Sequence, residues 1–508
     1  MANPILKHWD TTQKLVKQLD TDEIYRWLIE DGYFPESYVL PPCFRVVKSP
    51  KTPKEFFPIN GNKYRPKRSE FVKVHFPKTE LTDRVFGIID PELHSDIAFH
   101  LSQNWPLICR ALYSRQNNVA SYSFPIPLDS NRPGRIGFLR SGRMIYEYLG
   151  MVENDVTAAA YNYTHIVKAD IKSFYPQIYT HSIAWAIHGK SHIRMPKNLH
   201  DFGLVGNKLD KLFQNANDGC TNGIPIGPAV SDIIAEIIAA AVDTIFSEGV
   251  KKQKIQCQAV RFKDDYRILA KSETEAKAVV KILQAALKEY NLELSDNKTK
   301  VSVLPDGLFR EWVSMYHAAN PRKKKRYRWK EFREIYLSVL RIDKACPGTG
   351  VIDRFLADIL TKKGQVKVDL EEYNLEKTVS LLLMLGTLRI KSFPKIMAIL
   401  ESILRSPFGF AHQGLIENYL NAYLKKLAVD EERNKYLISW IAYFLVSNGL
   451  KPSKLKPNDL ITKTVFKNKG YLFKNCKDFK LFVGSKTISK KISMLEHLAV
   501  FEPPVSIT

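Results

Sequence analysis

The 508-residue chain predicts an α+β fold followed by an all-α helical region, on three observations. Between Thr164 and Leu304, strand-like apolar runs alternate with amphipathic helical ones in the order β, α, β-turn-β, α, β. That order lays helices on one face of an antiparallel sheet. Beyond "PRKKKRYRWK" (Pro321 to Lys330) the pattern is almost purely helical. A chain this long also exceeds what one hydrophobic core organises. The division is therefore placed at residues 1–320 and 321–508.

Taken in order, "TTQKLVKQL" and "DEIYRWLIEDG" read as short helices, the second opened by Thr21 and Asp22. From Phe34 to about Phe86, Pro, aromatics and Lys crowd without a period, which predicts an irregular basic segment. "SYSFPIP" and "GRIGFLRSGRMIYEYL" read as extended pieces joined by a turn near Ser141–Gly142. "THIVKADI" is a strand, followed by aromatics and a helical run past Ser182. "SDIIAEIIAAAVDTIFSEG" is a long helix ending at Gly249. "IQCQAVRF" and "YRILA" form two strands around an Asp pair. The amphipathic helix "SETEAKAVVKILQAALKEYNL" has Ser272 as N-cap and acids in its first turn. "LELSDNKTKVSVL" is extended again. In the second region, helices of similar length at similar spacing suggest a HEAT-like α-solenoid, with an ordinary bundle as the alternative because no repeat consensus is visible.

Lys plus Arg number 76 against 53 Asp plus Glu, a formal charge of +23. Such an excess favours a polyanionic partner, nucleic acid or nucleotides, although an anionic membrane answers to the same sign. The basic run after Pro321 serves as a solvated linker or a nucleic-acid contact. Six scattered cysteines without a C-x-x-C pair argue against a disulfide framework and a zinc site, and suit the cytoplasm. "MANPILKHWD" lacks the apolar core of a signal peptide. The most apolar helix carries Asp232, Glu236 and Asp243 and is too short and too charged to span a bilayer, so no membrane partner is expected.

The stretch "VRFKDDYRIL" sets Asp264 beside Asp265. Neighbouring side chains of a straight strand point to opposite faces, so both acids address one site only where the chain turns. Two carboxylates at a hairpin tip repel each other unless a cation sits between them, and hard oxygen ligands suit Mg²⁺ or Mn²⁺. A third carboxylate is expected from another strand end, and "VKADI" offers Asp170. Acids from separate segments meeting at adjoining strand ends describe a two-metal phosphoryl-transfer site. One ion would lower the pKa of an attacking hydroxyl; the other would hold a triphosphate and the leaving pyrophosphate.

"ADIKSFYPQIY", "TNGIPIGPAVSDIIAEI", "RFKDDYRIL" and "LELSDNKTKV" resemble, in order, the palm motifs of reverse transcriptases. "DIKSFYPQIYTHSIAWAIHGK" with "NGIPIGPAVS" is similar to the bacterial abortive-infection (Abi) polymerases, and the likeness spans roughly residues 100–305. The resemblance implies a palm and fingers with a helical-repeat tail. It implies that Asp170 and Asp264 ligate two ions, with Asp265 beside them as support or further ligand. Tyr175 would be the aromatic that excludes a 2′-hydroxyl and selects dNTPs, with Phe174 competing one residue away. Asn222 and Gly223 would contact the incoming nucleotide, and Lys298 the triphosphate. Arg140 and Arg143, in the expected finger strands, would bind phosphates. The chain departs from common reverse transcriptases at Asn222-Gly223, at Gly227-Pro228, and at Phe262-Lys263 before the acids. His181 and His188 read as structural. The Abi resemblance further implies untemplated DNA synthesis primed by a protein hydroxyl, with the DNA left attached to a Tyr, a homo-oligomer, and a role in antiphage defence. Tyr25, Tyr33, Tyr38 and Tyr64 are the N-terminal candidates for that hydroxyl. The alternatives are a conventional RNA-templated reverse transcriptase and an inactive nucleic-acid-binding scaffold.

Overall fold

The computed structural model describes residues 3–486, apart from 62, 79–81, 115, 130–131, 138–142, 321–324, 362–363, 372–373 and 474–475, together with Met494. Nine strands are assigned among them: β1 Phe44–Lys48, β2 Val72–Pro77, β3 Asp83–Ile88, β4 Val119–Ser121, β5 His165–Asp170, β6 Cys257–Phe262, β7 Asp265–Ala270, β8 Lys300–Val303 and β9 Lys480–Phe482. The central sheet has the order β4-β6-β7-β5-β8. All its pairs are antiparallel except β4–β6, which is parallel.

The alternation of each strand gives this sheet two apolar faces. Val167, Ala169, Ala259, Tyr266 and Ile268 face the helices Ala229–Lys252 and Glu273–Lys288 in one large core. Ile166, Val260 and Leu269 point the other way, into a smaller core closed by Val152, Val156 and Ala160. Those three residues recur every four positions along the helix Arg143–Ala160. Their spacing is why the segment is helical, since it turns one apolar stripe onto the sheet. The expectation of extended finger strands through "RMIYEYL" is thus corrected: a locally strand-like run yields to the burial of its helical continuation. Arg143 opens this helix, while Arg140 and the expected turn at Ser141–Gly142 lie outside the described residues.

Residues 34–86 also differ from expectation. β2 and β3 form an antiparallel hairpin, in register from Val72–Ile88 to Pro77–Asp83. Its inward residues Val74, Phe76, Phe86 and Ile88 join a core built mainly by the helices after residue 329. β1 pairs with β9 near the far end of the chain. Residues from both sides of position 320 therefore share one core.

In that core the helices Phe393–Arg405 and Glu431–Ser447 are buried nearly all round, which marks them as central rather than surface helices. No helix among the described residues is long and apolar enough to cross a membrane.

Candidate active site

β5 and β7 bring the acids together. Asp170, the last residue of β5, stands opposite Asp265, the first of β7. Phe262 pairs with Asp265, so the hairpin turn is Lys263–Asp264. Lys263 has φ +53°, a left-handed conformation that costs a non-glycine residue about 1 kcal/mol or more. The turn is pinned to β5 by the Ile171 N–H, which donates to the Asp264 carbonyl at 3.0 Å. Lys298, in the short turn Asp296–Lys298, donates from Nζ to Asp170 Oδ2 at 2.8 Å.

Two of the acids are held back from ionising. Burial and the nearby Asp170 push Asp264 above the usual carboxylate range. Burial, the Asp264 charge and a hydrogen bond with Asp170 push Asp265 up further. Asp265 is nonetheless solvent-exposed. Burial would lower Lys298, but Asp170 and the other two acids hold it up. As they stand, no three His, Cys, Asp or Glu side chains among the described residues converge on one metal position. The donor chemistry nonetheless fits a hard divalent ion: the Asp170 and Asp264 charges oppose ionisation of the acids beside them, and a cation between them would relieve that repulsion.

Two spaces flank the acids. The larger, about 780 Å³, is lined by Lys73, Lys78 and Arg84 on the β2–β3 hairpin, by Tyr175, Asn222 and Gly223, and by Asp170, Asp264 and Lys298. The smaller, about 230 Å³, lies on the face of Asp170 and Asp265 and is lined by Lys168, Arg267 and Lys298, with Val152 from the 143–160 helix.

Residues 132–331, under half of the chain, match the family model described as reverse transcriptase (RNA-dependent DNA polymerase). The chain carries a reverse-transcriptase domain. It is a nucleotidyltransferase of the reverse-transcriptase-like polymerase type. No curated protein matches the chain in sequence. Among solved structures, apo telomerase from Candida tropicalis is similar at 11% identity and TM-score 0.34, over 78% of this chain and 71% of that one. Telomerase from Candida albicans in complex with the TWJ fragment of telomeric RNA gives 11% identity and TM-score 0.29, over 74% of this chain and 64% of that one.

Around the acids of this reverse-transcriptase domain, the expected nucleotide residues are distributed as follows. Phe174 is packed into the core at 4% exposure. Tyr175 is half-buried, and its hydroxyl donates to Asp232 Oδ1 at 2.6 Å. Burial and that carboxylate hold the phenol well above its ordinary range. Asn222 is exposed at the cleft and bridges to Tyr179. Gly223 has φ +82°, and its N–H donates to the Ile178 carbonyl at 2.8 Å. His181 and His188 do not line the cleft: His181 pairs with Asp210 at 2.5 Å, and His188 Nε2 accepts the Gly206 N–H.

Sequence reasoning missed the other wall. Lys73, Lys78 and Arg84 sit on a hairpin where composition predicts an irregular segment, although the alternation in "VKVHFP" and "DRVFGI" is a signal for it. Glu36 and Tyr38 line the same cleft, and Glu36 Oε1 lies 3.7 Å from Lys263 Nζ. Lys391, from the helical region, has its ammonium 4.6 Å from the centre of the Tyr38 ring.

Proposed function

We propose that the domain joins dNTPs into DNA without a template, starting on a hydroxyl of its own chain, as the Abi polymerases it resembles do. The observation that carries this reading is the position of Tyr38. Of the four N-terminal candidates, Tyr25 bonds Ser95, Tyr33 donates to the Ile89 carbonyl, and Tyr64 is packed against Phe202. Tyr38 instead lines the cleft that contains Asp170, Asp264 and Lys298. Burial raises its phenol, and the neighbouring Glu36 carboxylate, which accepts its hydrogen bond, raises it further.

In the first step Tyr38 Oη attacks the α-phosphorus of a dNTP, its proton passes to Glu36, the α–β anhydride bond breaks and pyrophosphate leaves. Later additions start from the 3′-hydroxyl so created. Lys73, Lys78 and Arg84 face the cleft as partners for the triphosphate. Tyr175 supplies a ring where a deoxyribose would rest. Asp170, Asp264 and Asp265 would hold two Mg²⁺ or Mn²⁺ ions, which when bound neutralise phosphate charge and acidify the attacking hydroxyl.

Untemplated synthesis draws support from the 143–160 helix, which covers the sheet face bearing Asp170 and Asp265. The larger space, about 780 Å³, is of the size that takes a nucleotide. The reading also includes a HEAT-like character for the helical region, a domain division near residue 320, homo-oligomerisation and phage defence.

Incubating the purified protein with dNTPs and Mg²⁺, without nucleic acid, tests the proposal by intact-protein mass spectrometry. Added nucleotide masses are expected, and they should be lost in both Asp264→Asn and Tyr38→Phe. An unmodified wild type that extends a primer only on an added RNA template would favour the conventional reverse transcriptase. Synthesis surviving Asp264→Asn would overturn the assignment of the site. Salt-sensitive nucleic-acid binding with no incorporation under any condition would favour the scaffold.

A further inference from the structure

We infer that Arg261 is a positioning residue for nucleotidyl transfer: it holds the backbone of the hairpin turn and thereby sets where Asp264 stands. Arg261 lies on β6, and its side chain is 1% exposed on the face of the sheet away from Asp170 and Asp265. Its guanidinium donates in three directions. Nε reaches Asp243 Oδ2 at 2.9 Å. Nη2 and Nη1 reach the two oxygens of Glu236 at 2.9 and 3.0 Å. Nη1 also donates to the carbonyl of Lys263 at 3.0 Å. Glu236 and Asp243 both belong to the helix Ala229–Lys252, so one planar cation ties that helix to the turn.

The acceptors are themselves fixed. Ser121 and Ser123 hydroxyls donate to Glu236 at 2.5 and 3.0 Å, and the Tyr266 hydroxyl donates to Asp243 Oδ1 at 2.7 Å. The carbonyl that Arg261 holds belongs to the peptide leading into Asp264, and Lys263 sits at a positive φ. An ion pair serving stability alone needs no bond to that carbonyl. A guanidinium can meet two carboxylates and a carbonyl at once because its N–H groups diverge in a plane; an ammonium cannot reproduce that fork.

The inference rests on Asp264 acting at the site, so Asp264→Asn is measured alongside: activity retained there would sink that reading, whatever Arg261 does. Arg261→Lys keeps the charge and loses the fork. It is expected to lower kcat at least tenfold, to leave KM for dNTP within twofold, and to weaken Mn²⁺ binding at least fivefold. Mn²⁺ binding is read without turnover, by electron paramagnetic resonance on the nucleotide-free protein, with the thermal midpoint recorded for each variant. The double variant Ser121→Ala/Ser123→Ala frees Glu236 while retaining the ion pair, and is expected to shift Mn²⁺ affinity in the same direction by a smaller factor. It also provides the answer if Arg261→Lys does not fold. A folded Arg261→Lys with wild-type kcat and Mn²⁺ affinity overturns the inference. So does a serine double variant with unaltered Mn²⁺ affinity where Arg261→Lys is unfolded.

Discussion

Two buried charge clusters are built to opposite stoichiometries. Beneath the sheet, Arg261 lies between two carboxylates, Glu236 and Asp243. In the helical region one carboxylate, Asp353, receives Lys395 Nζ, Arg389 Nε and the Ser392 hydroxyl. Burial alone would raise every one of these acids. Around Asp353 the two cations overwhelm burial and hold the carboxyl far below its usual range. Around Arg261 a single cation is shared: Glu236 ends low, while Asp243 is pushed up to about 6. The helical cluster therefore compensates within itself the charge it buries. The sheet cluster keeps one carboxylate ionised at a cost, and what it gains lies outside the cluster, in the turn that Arg261 holds.

The sharpest break between the two should come from Asp353→Ala. It leaves Lys395, 7% exposed, and Arg389 without their carboxylate. Removing one member of a buried ion pair costs about 3–5 kcal/mol. Urea denaturation is expected to show a loss of that order, with nucleotide incorporation per folded molecule unchanged. A loss comparable with that of a surface pair would mean that the helical cluster is not the stabiliser its geometry describes.

Tyr266→Phe acts on the sheet cluster with a smaller effect. The variant removes one buried donor to Asp243 and leaves the ring in place. Hydrogen bonds to charged groups contribute about 1.5–3 kcal/mol, so denaturation should show a loss in that range. Because Asp243 is already strained, deleting its donor should also raise it further. If Tyr266→Phe proved as costly as Asp353→Ala, the contrast in stoichiometry would not be what separates the two regions.

The part of this contrast that sequence exposes is the local part. Ser272 caps its helix as its spacing predicts, accepting the Glu275 N–H at 3.2 Å. The strand before Asp170 and the turn at the Asp pair follow from short apolar runs interrupted by charge, and the structure sets Asp170 opposite Asp265. The turn differs in one detail: Lys263 and Asp264 form it, and Asp265 already begins β7. What sequence does not expose depends on partners far along the chain. Tyr38 is placed with help from the Tyr436 hydroxyl, 398 positions away, which donates to its carbonyl. β1 finds β9 across a similar separation. The 143–160 helix was hidden because its first half is rich in residues that also suit strands, and only the sheet beneath its second half decides between them. Arg261 was hidden for another reason: in "VRFKDD" nothing distinguishes an arginine turned into the core from one turned to solvent.

The finest test of the contrast uses pH, because the two acids carry shifts of opposite sign. Asp353 has its folded value depressed, so its contribution is fully present above the unfolded value of 3.8 and is lost only as pH falls below that. Asp243 has its folded value raised to about 6, so its ionisation opposes folding above pH 6, and that penalty disappears as pH falls from 6 towards 3.8. Between pH 7 and pH 5, the stability difference between wild type and Asp353→Asn should stay flat. Over the same interval the difference between wild type and Asp243→Asn should move in the wild type's favour, by no more than about 1.4 kcal/mol per pH unit for a single proton. Below pH 4 the Asp353→Asn difference should shrink in turn. Urea midpoints of the three proteins at pH 7, 5 and 3.5 check both signs. A flat Asp243→Asn difference from pH 7 to 5 would show that Arg261 compensates both of its carboxylates. The sheet cluster would then be an ordinary stabilising one, and its tie to Lys263 would be incidental to how it is built.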